Sequence, residues 1–457
     1  MGEYKSMVEA PTGWLGSIPE HWECKKIGSL FSERKTKVSD ADYPPLSVTK
    51  LGIVPQLANA AKSDSGDNRK LVCSGDFVIN SRSDRKGSCG VSELDGSVSL
   101  INIVLTPRNS WDNKYVHYLM RSQSFSEEYY HYGRGIVADL WTTRYSEMKN
   151  ILLPVPPHDE QEQIVRFLDW KVSGINKLIN IKKKEIESLC ELRNSTIDSG
   201  ILHGFHHGDM KSSGIYWLGD IPSTWEVMPI KRVAKINASV ADIVKVLDDE
   251  ELLTFLPMEN VSERGEIDCS IKRPLKEIKS GYSSFAKGDV VVAKITPCFE
   301  NGKGACLDTL DTEIGFGTTE FINLRPGDEI LSRYLYMITM TQHFRKLGER
   351  VMTGSAGQKR ISANYIKNFT LGIPVIKEQE EILKKLDSTL SKIDELIEIK
   401  KSEISGLHEL KNRLISDVVT GNIDVRDIEI PEYEFTDESA DSDLGDVDFD
   451  VDEEQED

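Results

Sequence analysis

Two sets of basic and polar residues on glycine-rich stretches are the best candidates for chemistry in this 457-residue chain. Arginine and lysine can hold phosphates or pair with guanine edges, whereas asparagine and glutamine can pair with adenine. The first set is Arg82, Arg85, Lys86, Trp141, Thr142, Thr143 and Arg144. The second set is Lys294, Thr296, Asn301, Lys303, Gln358, Lys359 and Arg360. Taken as sets they indicate contacts with nucleic acid, while for any one member a solvated surface position is an equal alternative.

Sequence motifs for catalysis are absent. No G-x-G-x-x-G, Walker loop or His-Glu-x-x-His occurs, nor the Asn-Pro-Pro-Tyr or Asp-Pro-Pro-Tyr expected of an adenine methyltransferase. Seven scattered cysteines without a Cys-x-x-Cys pair predict free thiols in a reducing compartment. The stretch HGFHHGD (203–209) is more typical of a linker than of a metal site. We therefore expect a chain that is not an enzyme and holds no metal or cofactor.

The net charge of −19 is concentrated at the C-terminal end. Residues 427–457 contain 16 Asp or Glu and no Lys or Arg, so removing those 16 negative charges from −19 leaves −3. A nearly neutral body can carry basic patches, so the overall charge does not argue against nucleic acid. We expect the acidic tail to be disordered, with mimicry of DNA as the alternative.

The chain contains two versions of one unit. WLGSIPEHWE begins at Trp14 and WLGDIPSTWE begins at Trp217, an offset of 203 residues. A second pair, KNILLPVPPHDEQEQIVRFL (149–168) and KNFTLGIPVIKEQEEILKKL (367–386), has an offset of 218. Two ordered matches at similar offsets indicate internal duplication.

Each repeat ends in a long predicted helix. Apolar residues recur at three- and four-residue steps after Pro157 and after Pro374, with Lys and Glu on the opposite face. Acidic residues at each start suit the helix dipole, and Gly204 and Gly421 are candidate stops. Two similar amphipathic helices in one chain favour antiparallel pairing with each other, although each helix could instead dock on its own domain.

The regions between head motif and helix predict mixed structure. Short β-type runs such as GDFVINSR (75–82) and GDVVVAKITP (288–297) are followed by helix-like stretches at 114–130 and 332–350. The order predicts an α+β fold with two mixed α/β heads, separated by two long antiparallel helices. We expect an elongated, pseudo-twofold arrangement that presents two reading heads at once.

These motifs resemble the specificity subunit of type I restriction-modification systems. The resemblance covers residues 14–426 and rests on the W-L-G-x-I-P-x-x-W-E heads, the G-D-x-x-(V/I) cores, the EQ helix entries and LKNRLISDVVTGNIDVR (410–426). In the second head, KITPCFENGKGACL (294–307) and GSAGQKRIS (354–362) are similar to a common recognition-domain variant of the family. The first head departs from that variant, as expected if the two heads read different sequences.

The resemblance implies a function and partners. It implies a sequence-specific DNA-binding subunit that recognises a bipartite site on double-stranded DNA and directs an adenine methyltransferase and a restriction-translocase to it. Two methyltransferase subunits and restriction subunits would be the protein partners. They would use S-adenosylmethionine, with ATP and Mg for cleavage, while this chain would use no cofactor.

The resemblance also implies a division of the chain. We predict target-recognition domain 1 at 1–157, a central long helix and linker at 158–207, target-recognition domain 2 at 208–375, a C-terminal long helix at 376–426 and an acidic tail at 427–457. No apolar run is long enough to span a bilayer and no signal peptide is recognisable, so we expect a cytoplasmic protein with no membrane partner. A duplicated protein-binding scaffold and a stand-alone nuclease remain as alternatives.

Overall fold

The computed structural model describes residues 2–50, 52–56, 68–82, 85–108, 111–135, 141–205, 208–355 and 357–438. The chain divides into two compact units. Unit 1 comprises Met1–Lys184 and Lys401–Asp457, and unit 2 comprises Glu185–Lys400. Both divisions fall inside long helices, so each unit takes helical residues from both repeats. The linear domain intervals given above remain a prediction.

The helices include two that are far longer than the rest. In the described residues they are, in chain order, α1 (Ile27–Leu30), α2 (Asn113–Arg121), α3 (Gln123–His131), α4 (Tyr145–Met148), α5 (His158–Asp198), α6 (Ala241–Val244), α7 (Leu275–Ile278), α8 (Ser332–Met340), α9 (Gln342–Glu349), α10 (Ala363–Asn368) and α11 (Ile376–Val419). The long helices α5 and α11 begin at the residues that the sequence predicts. A π-helical turn, Ser199–His203, follows α5 and ends at Gly204.

The strands are short. Those of unit 1 are β1 (Met7–Glu9), β2 (Ser17–Pro19), β3 (Glu23–Lys26), β4 (Phe31–Glu33), β5 (Lys37–Val38), β6 (Leu46–Thr49), β7 (Gly52–Pro55), β8 (Arg69–Val72), β9 (Phe77–Asn80), β10 (Cys89–Val91), β11 (Gly96–Val98), β12 (Asn102–Pro107) and β13 (Leu152–Val155). Those of unit 2 are β14 (Met210–Ser212), β15 (Asp220–Pro222), β16 (Glu226–Pro229), β17 (Ala234–Ile236), β18 (Leu252–Leu256), β19 (Lys272–Pro274), β20 (Ser283–Ala286), β21 (Val290–Ala293), β22 (Gly304–Cys306), β23 (Ile314–Gly317), β24 (Phe321–Pro326) and β25 (Thr370–Ile373).

The central sheet has the same plan in both units. Its strand order is β10-β9-β12-β4 in unit 1 and β22-β21-β24-β17 in unit 2, antiparallel throughout. The strands that follow each Gly-Asp, β9 and β21, are buried along their whole length. They read as continuous apolar runs because both of their faces are covered. The predicted β-type runs therefore form the core strands of each head.

A second sheet differs between the heads. In unit 1 it has three strands in the order β11-β8-β5, whereas in unit 2 it has four in the order β19-β18-β23-β20. The pair β18–β23 is parallel, so this sheet of unit 2 is mixed. Unit 1 has instead a separate antiparallel pair, β6–β7.

The helix-like stretch after the central sheet is broken in two in both units. Ser122 separates α2 from α3: its hydroxyl donates to the Leu119 carbonyl (2.8 Å) and accepts from the Phe125 amide (3.3 Å). Thr341 separates α8 from α9 with the same two bonds, to Ile338 and from Phe344. A hydroxyl at this position ends one helix and caps the next. Each helix-like stretch predicted from the sequence thus contains two helices.

In unit 1 the long helices pair antiparallel. Lys182 of α5 forms an ion pair with Glu403 of α11 (3.0 Å). Nearer the start of α5, Asn176 accepts a hydrogen bond from Lys411 of α11 (3.2 Å). Further along, the start of α5 and the end of α11 share the core of the first head, through Leu168 and other apolar side chains. As the residue number increases along α5, the number of its contact residue on α11 decreases, so the two helices are antiparallel.

In unit 2 the same helices pair again. Lys400 of α11 bonds Glu185 of α5 (3.1 Å), and Arg193 of α5 bonds Asp394 of α11 (3.1 Å). Ile197 at the end of α5 lies in the core of the second head with residues from the start of α11. The α+β class, the internal duplication and the antiparallel pairing of the long helices are thus confirmed.

The duplicated W-L-G-x-I-P-x-x-W-E motif is a clasp for a helix end. Trp22 and Trp225, the second tryptophans of the two copies, are 5 % and 0 % exposed. Gly421, just after α11, lies against Pro19 and Trp22, and Gly204, after α5, lies against Trp225. The clasp of each repeat therefore holds the end of the long helix that belongs to the other repeat.

The duplicated Glu-Gln pair has a structural role as well. Gln379 is fully buried; its amide donates to the carbonyls of Pro374 and Glu329 (both 2.9 Å) and accepts from the Leu331 amide (2.9 Å). Gln161 makes the corresponding bonds, to the Pro156 carbonyl (2.9 Å) and from the Asp112 amide (3.2 Å). Each glutamine ties the start of a long helix to the start of the shorter helix beside it, and the buried amide finds its hydrogen-bond partners in backbone groups.

The beginning of the acidic tail is ordered, contrary to the expectation of disorder from residue 427 onward. Gln163 of α5 donates to the carbonyls of Val425 and Ile428 (3.0 and 2.9 Å). Residues 433–438 then lie along α5 through further hydrogen bonds. The reason is that α5 offers polar side chains there to an extended backbone. Residues 439–457 lie outside the described residues.

The clasp yields a test with a matched control. Gly421 has a φ of 82°, and a Cβ added there would lie 2.4 Å from Cδ of Pro19. We expect Gly421→Ala to lower the free energy of unfolding of unit 1 by about 2 kcal/mol, from left-handed strain plus overpacking. Gly406→Ala, in the middle of α11 with open space around it, should be neutral or stabilising. Thermal unfolding of the two variants would contradict this if Gly421→Ala melted at the wild-type temperature.

The buried glutamine yields a second test. Gln379→Leu removes the buried amide that serves the Pro374 and Glu329 carbonyls and the Leu331 amide, so we expect a loss of about 1–3 kcal/mol in the stability of unit 2. Glu380→Ala, on the exposed side of the same turn, is the control and should change stability by less than about 0.5 kcal/mol. Equal urea midpoints for the two variants would show that the glutamine has no such role.

Candidate nucleic-acid interface

In the first head, the two predicted clusters meet at the end of strand β9. Arg82 follows β9 and forms an isolated β-bridge with Thr142. Asn80, the buried last residue of the strand, accepts from the Arg82 amide (3.0 Å) and donates its own amide to the Ser88 carbonyl (3.0 Å). The loop that carries Arg85 and Lys86 is therefore anchored at both ends by one asparagine.

Thr142 also pairs with a residue that the sequence analysis did not select. The amides and carbonyls of Arg134 and Thr142 exchange two hydrogen bonds, 2.9 and 3.0 Å. The side chain of Arg134 is 83 % exposed and lies 4.0 Å from Glu147. The sequence did offer a signal for Arg134 as a site residue: it lies between two glycines, Gly133 and Gly135, shortly before the cluster that begins at Trp141. The interval 136–140 lies outside the described residues.

Two of the predicted contact residues support the site from inside. Trp141 stacks on Tyr130 with ring centroids 5.6 Å apart, and its Nε1 donates to the Tyr130 carbonyl (2.9 Å). The buried Thr143 donates to the Tyr129 carbonyl (3.0 Å) and accepts at its own carbonyl from the Tyr129 hydroxyl (3.1 Å). Burial raises the pKa of Tyr129, so this hydroxyl keeps its proton. The structure places Trp141 and Thr143 as supports of the loop, with little surface of their own.

Among the predicted residues of the first head, those that reach solvent are cationic. Arg82, Lys86 and Arg144 are exposed, and Arg85 is half-buried. The ammonium of Lys86 lies 5.3 Å from the centre of the Tyr130 ring. Together with Arg134 they provide cationic side chains on the two loops that meet at this junction.

The second head uses the same junction with different residues. Ile295, after strand β21, forms an isolated β-bridge with Arg360, as Arg82 does with Thr142. The Lys294 carbonyl accepts from the Ile361 amide (2.8 Å). The Thr296 amide donates to the Lys359 carbonyl (3.0 Å), while the Thr296 hydroxyl accepts from the Lys359 amide (3.0 Å). The structure thus brings the two predicted clusters of this head together.

Arg360 is held rather than free. Its guanidinium makes a two-pronged contact with Glu320, with Nη2 2.9 Å from Oε1 and Nε 3.0 Å from Oε2. This hydrogen bonding raises the pKa of Arg360, which keeps the side chain charged. The Glu320 carbonyl in turn accepts from the Lys294 amide (2.8 Å), so the pair ties both loops to one strand end.

The remaining predicted residues of the second head differ in exposure. Gln358, Lys359 and Asn301 are exposed, whereas Lys303 is half-buried. Asn301 and Lys303 lie on the turn from β21 to β22, where the Lys303 amide bonds the Cys298 carbonyl (2.9 Å). Lys294 and Arg360 also line a polar cleft with Asn237, Ser239 and Ser284, which the sequence did not single out.

Directly before the core strand of each head, at the end away from the loop junction, a buried aspartate anchors the central sheet. Asp76 is bonded by Arg34 in unit 1 (2.7 and 3.0 Å), and Asp289 by Arg325 in unit 2 (2.8 Å for both bonds). These hydrogen bonds raise the pKa of both guanidinium groups. The aspartates occupy the same place in the repeats, although the arginines come from different strands. A buried carboxylate of this kind requires its partner, since the unpaired charge would be costly.

Comparison with known proteins agrees with this architecture. A family model described as type I restriction modification DNA specificity domain matches residues 222–406. The EcoAI type I restriction enzyme specificity subunit of Escherichia coli is 37 % identical over 199 residues. The MjaVIII specificity subunit of Methanocaldococcus jannaschii is 24 % identical over 443 residues, covering 90 % of this chain and 95 % of that subunit. This chain is therefore similar to type I restriction-modification specificity subunits, over residues 222–406 by the family model and over most of its length by the MjaVIII match.

The matches differ in extent. The EcoAI match covers 43 % of this chain and 33 % of that subunit, so it spans about a third of the relative's length. A solved structure of a type I R-M system has the same fold, with a TM-score of 0.61 and 14 % identity over 89 % of this chain and 99 % of that one. The resemblance inferred from the sequence motifs is therefore confirmed.

In the part of the chain that the structure describes, no three His, Cys, Asp or Glu side chains are grouped so as to hold a metal ion. None of the helices described is both long and apolar enough to cross a membrane. His206 and His207 of the HGFHHGD stretch lie outside the described residues.

The supporting role of Trp141 can be tested. Trp141→Ala removes the stack on Tyr130 and the bond to its carbonyl, so we expect the first head to lose about 1–3 kcal/mol. Hydrogen exchange at the Arg134 and Thr142 amides should quicken at the same time. Arg144→Ala, at an exposed position, should leave both stability and exchange unchanged. Unchanged exchange in Trp141→Ala would show that the tryptophan does not support this loop.

Proposed function

We propose that this chain is the DNA-reading, non-catalytic subunit of a type I restriction-modification complex. Each head reads one part of a bipartite site on double-stranded DNA. Catalysis belongs to partner subunits: two methyltransferase subunits that use S-adenosylmethionine for adenine methylation, and restriction-translocase subunits that use ATP and Mg. A cytoplasmic location follows from this role.

One observation carries the proposal: two heads of one fold present the same loop junction with different side chains. In unit 1 the bridge is Arg82 to Thr142, and in unit 2 it is Ile295 to Arg360. A shared backbone frame with divergent side chains is what two readers of unlike sequences require, because specificity resides in groups that reach base edges. The cationic surroundings of the junction would supply phosphate contacts that are independent of sequence.

The predicted residues have two proposed roles: some contact DNA, and others hold the loops in position. Arg82, Arg85, Lys86 and Arg144 are the proposed DNA contacts of the first head, with Arg134 added. Thr142, through its backbone, and Trp141 and Thr143, through their buried groups, would position them. In the second head, Lys294, Asn301, Lys303, Gln358 and Lys359 are proposed contacts. Thr296 and Arg360 would hold the loops, with Arg360 also facing the cleft.

Selection from a random duplex library tests the proposal. The complex of this chain with its cognate methyltransferase should enrich a split motif with a fixed gap. A protein-binding scaffold would enrich nothing, and a nuclease would cut DNA in a metal-dependent way with this chain alone. Either of those two outcomes would overturn the proposal.

Substitutions in one head should relax selection in one half of the motif. Lys294→Ala with Gln358→Ala should lower affinity about 5- to 150-fold per lost base contact, and should affect only the half-site read by the second head. Arg82→Ala with Arg144→Ala should do the same for the other half. Where the lost contact is to phosphate, the slope of log affinity against log salt should fall by about 0.9 per contact. Relaxation of both halves by either pair would contradict separate reading.

A further inference from the structure

Residues 433–438 of unit 1, here called the strap, lie in a groove that is built for an extended chain. The groove is formed by a stripe on α5 together with two side chains of α11. Its lining residues are Ser173, Asn176, Asn180, Lys183, His408 and Lys411. The α5 members recur at steps of three, four and three residues, which places them on one face of the helix.

The groove recognises the backbone of the strap. The Ser173 hydroxyl donates to the Glu434 carbonyl (3.1 Å) and accepts from the Thr436 amide (2.8 Å). The Asn176 amide donates to the Thr436 carbonyl (3.2 Å), and the Asn180 amide donates to the Asp437 carbonyl (2.9 Å). These contacts require a peptide, since a nucleic-acid backbone has no amide hydrogen to offer Ser173.

One carboxylate anchors the end of the strap. Glu438 lies 2.6 Å from Nζ of Lys411, 3.3 Å from Nζ of Lys183 and 3.3 Å from Nε2 of His408. The side chains of both lysines are largely buried, 16 % and 11 % exposed. Burial alone would raise the pKa of Glu438, but the hydrogen bond to Lys411 and the neighbouring charges bring it below its ordinary value. The pocket is therefore selective for a negative charge.

The contacts of the strap are of a kind that allows it to dissociate from the groove. Its large side chains, Tyr433 and Phe435, are 40 % and 55 % exposed, so it is held by hydrogen bonds and charge with little apolar burial. The surface beneath it is polar, and its exposure to water would create no apolar patch. Ile428 and Ile430, just before the strap, pack against the core of the first head and remain as an anchor.

The second repeat shows that the groove is a specialised feature of the first. At the positions that correspond to Asn176 and Asn180, α11 has Asp394 and Glu398. Those carboxylates cannot donate to carbonyls, and in unit 2 both lie near Arg264 (3.9 and 3.7 Å). The duplicated helices have thus diverged at the residues that bind the strap.

We propose that this groove is a docking site for an extended acidic peptide of a partner protein, and that the strap occupies it in cis as a competitor. The partner segment would place amides and carbonyls against Ser173, Asn176 and Asn180, with a carboxylate in the pocket of Lys183, His408 and Lys411. The site uses none of the residues proposed to read DNA, and it does not depend on that proposal.

Binding of a labelled peptide tests this directly. The probe is a fluorescein-labelled peptide with the sequence of residues 431–440, PEYEFTDESA, followed by anisotropy. Two proteins with an open groove are used: the full chain carrying Thr436→Pro and Glu438→Lys, and a chain that ends at Ile430. We expect both to bind the peptide at least tenfold more tightly than the unmodified full chain, with affinity that falls as salt rises. The proposal would be overturned if all three proteins bound the peptide equally weakly while the two open proteins unfolded at the same temperature as the unmodified chain.

Matched variants separate the groove from general charge. In the open full chain, Asn176→Asp copies the second repeat and Lys411→Glu inverts the pocket; each should weaken the peptide at least tenfold. Lys177→Glu, exposed on the same helix but outside the stripe, should have no effect. Displacement of the probe by duplex DNA as well as by unlabelled peptide would overturn the assignment to a peptide. A dimer of the unmodified chain that is lost on releasing the strap would overturn its occupation in cis. Because neither the methyltransferase nor target DNA is required, failure here leaves the proposed DNA reading untouched.

Discussion

The structure depends on the exchange of helix ends between the two repeats. Each head alone lacks part of its core, and the missing part comes from the far end of the other repeat's long helix. In unit 1 the end of α11 enters the core beside Trp22, and in unit 2 the end of α5 does so beside Trp225. Apolar burial drives the contact, since these side chains would otherwise face water. Neither repeat can therefore complete its head without the other.

The antiparallel pairing of α5 with α11 satisfies this constraint in both units at once. It brings the end of each helix to the start of its partner, where the duplicated glutamine fixes the neighbouring elements. Gln161 and Gln379 are nearly identical in their bonds because the geometry around them is the same. Other positions have diverged. Glu378 accepts from the Trp225 indole (2.8 Å), whereas Glu160 is bonded by Tyr4 and His21.

The positions that face other molecules in our proposals are among those at which the repeats have diverged. The loop junction keeps its backbone bridge but changes Arg82 for Ile295 and Thr142 for Arg360. The stripe on the long helix keeps Ser173 as Ser391 but changes two asparagines for carboxylates. Residues that close the cores, such as the clasp tryptophans, are unchanged. Duplication thus preserved the clasp that folding requires, whereas the positions that we propose to contact partners have changed.

The sequence by itself determined the duplication, the α+β class, the core strands and the starts of both long helices. These follow from apolar periodicity and from repeated motifs, which are local properties of the chain. Only the tertiary structure decided which helix end fills which clasp, that Trp141 and Thr143 support the loop, and that Arg360 is held by Glu320. It also decided that residues 433–438 lie on α5. Each of these depends on a partner far away in the chain, and the spacing of residues in a sequence carries no record of the partner that burial and hydrogen bonding select.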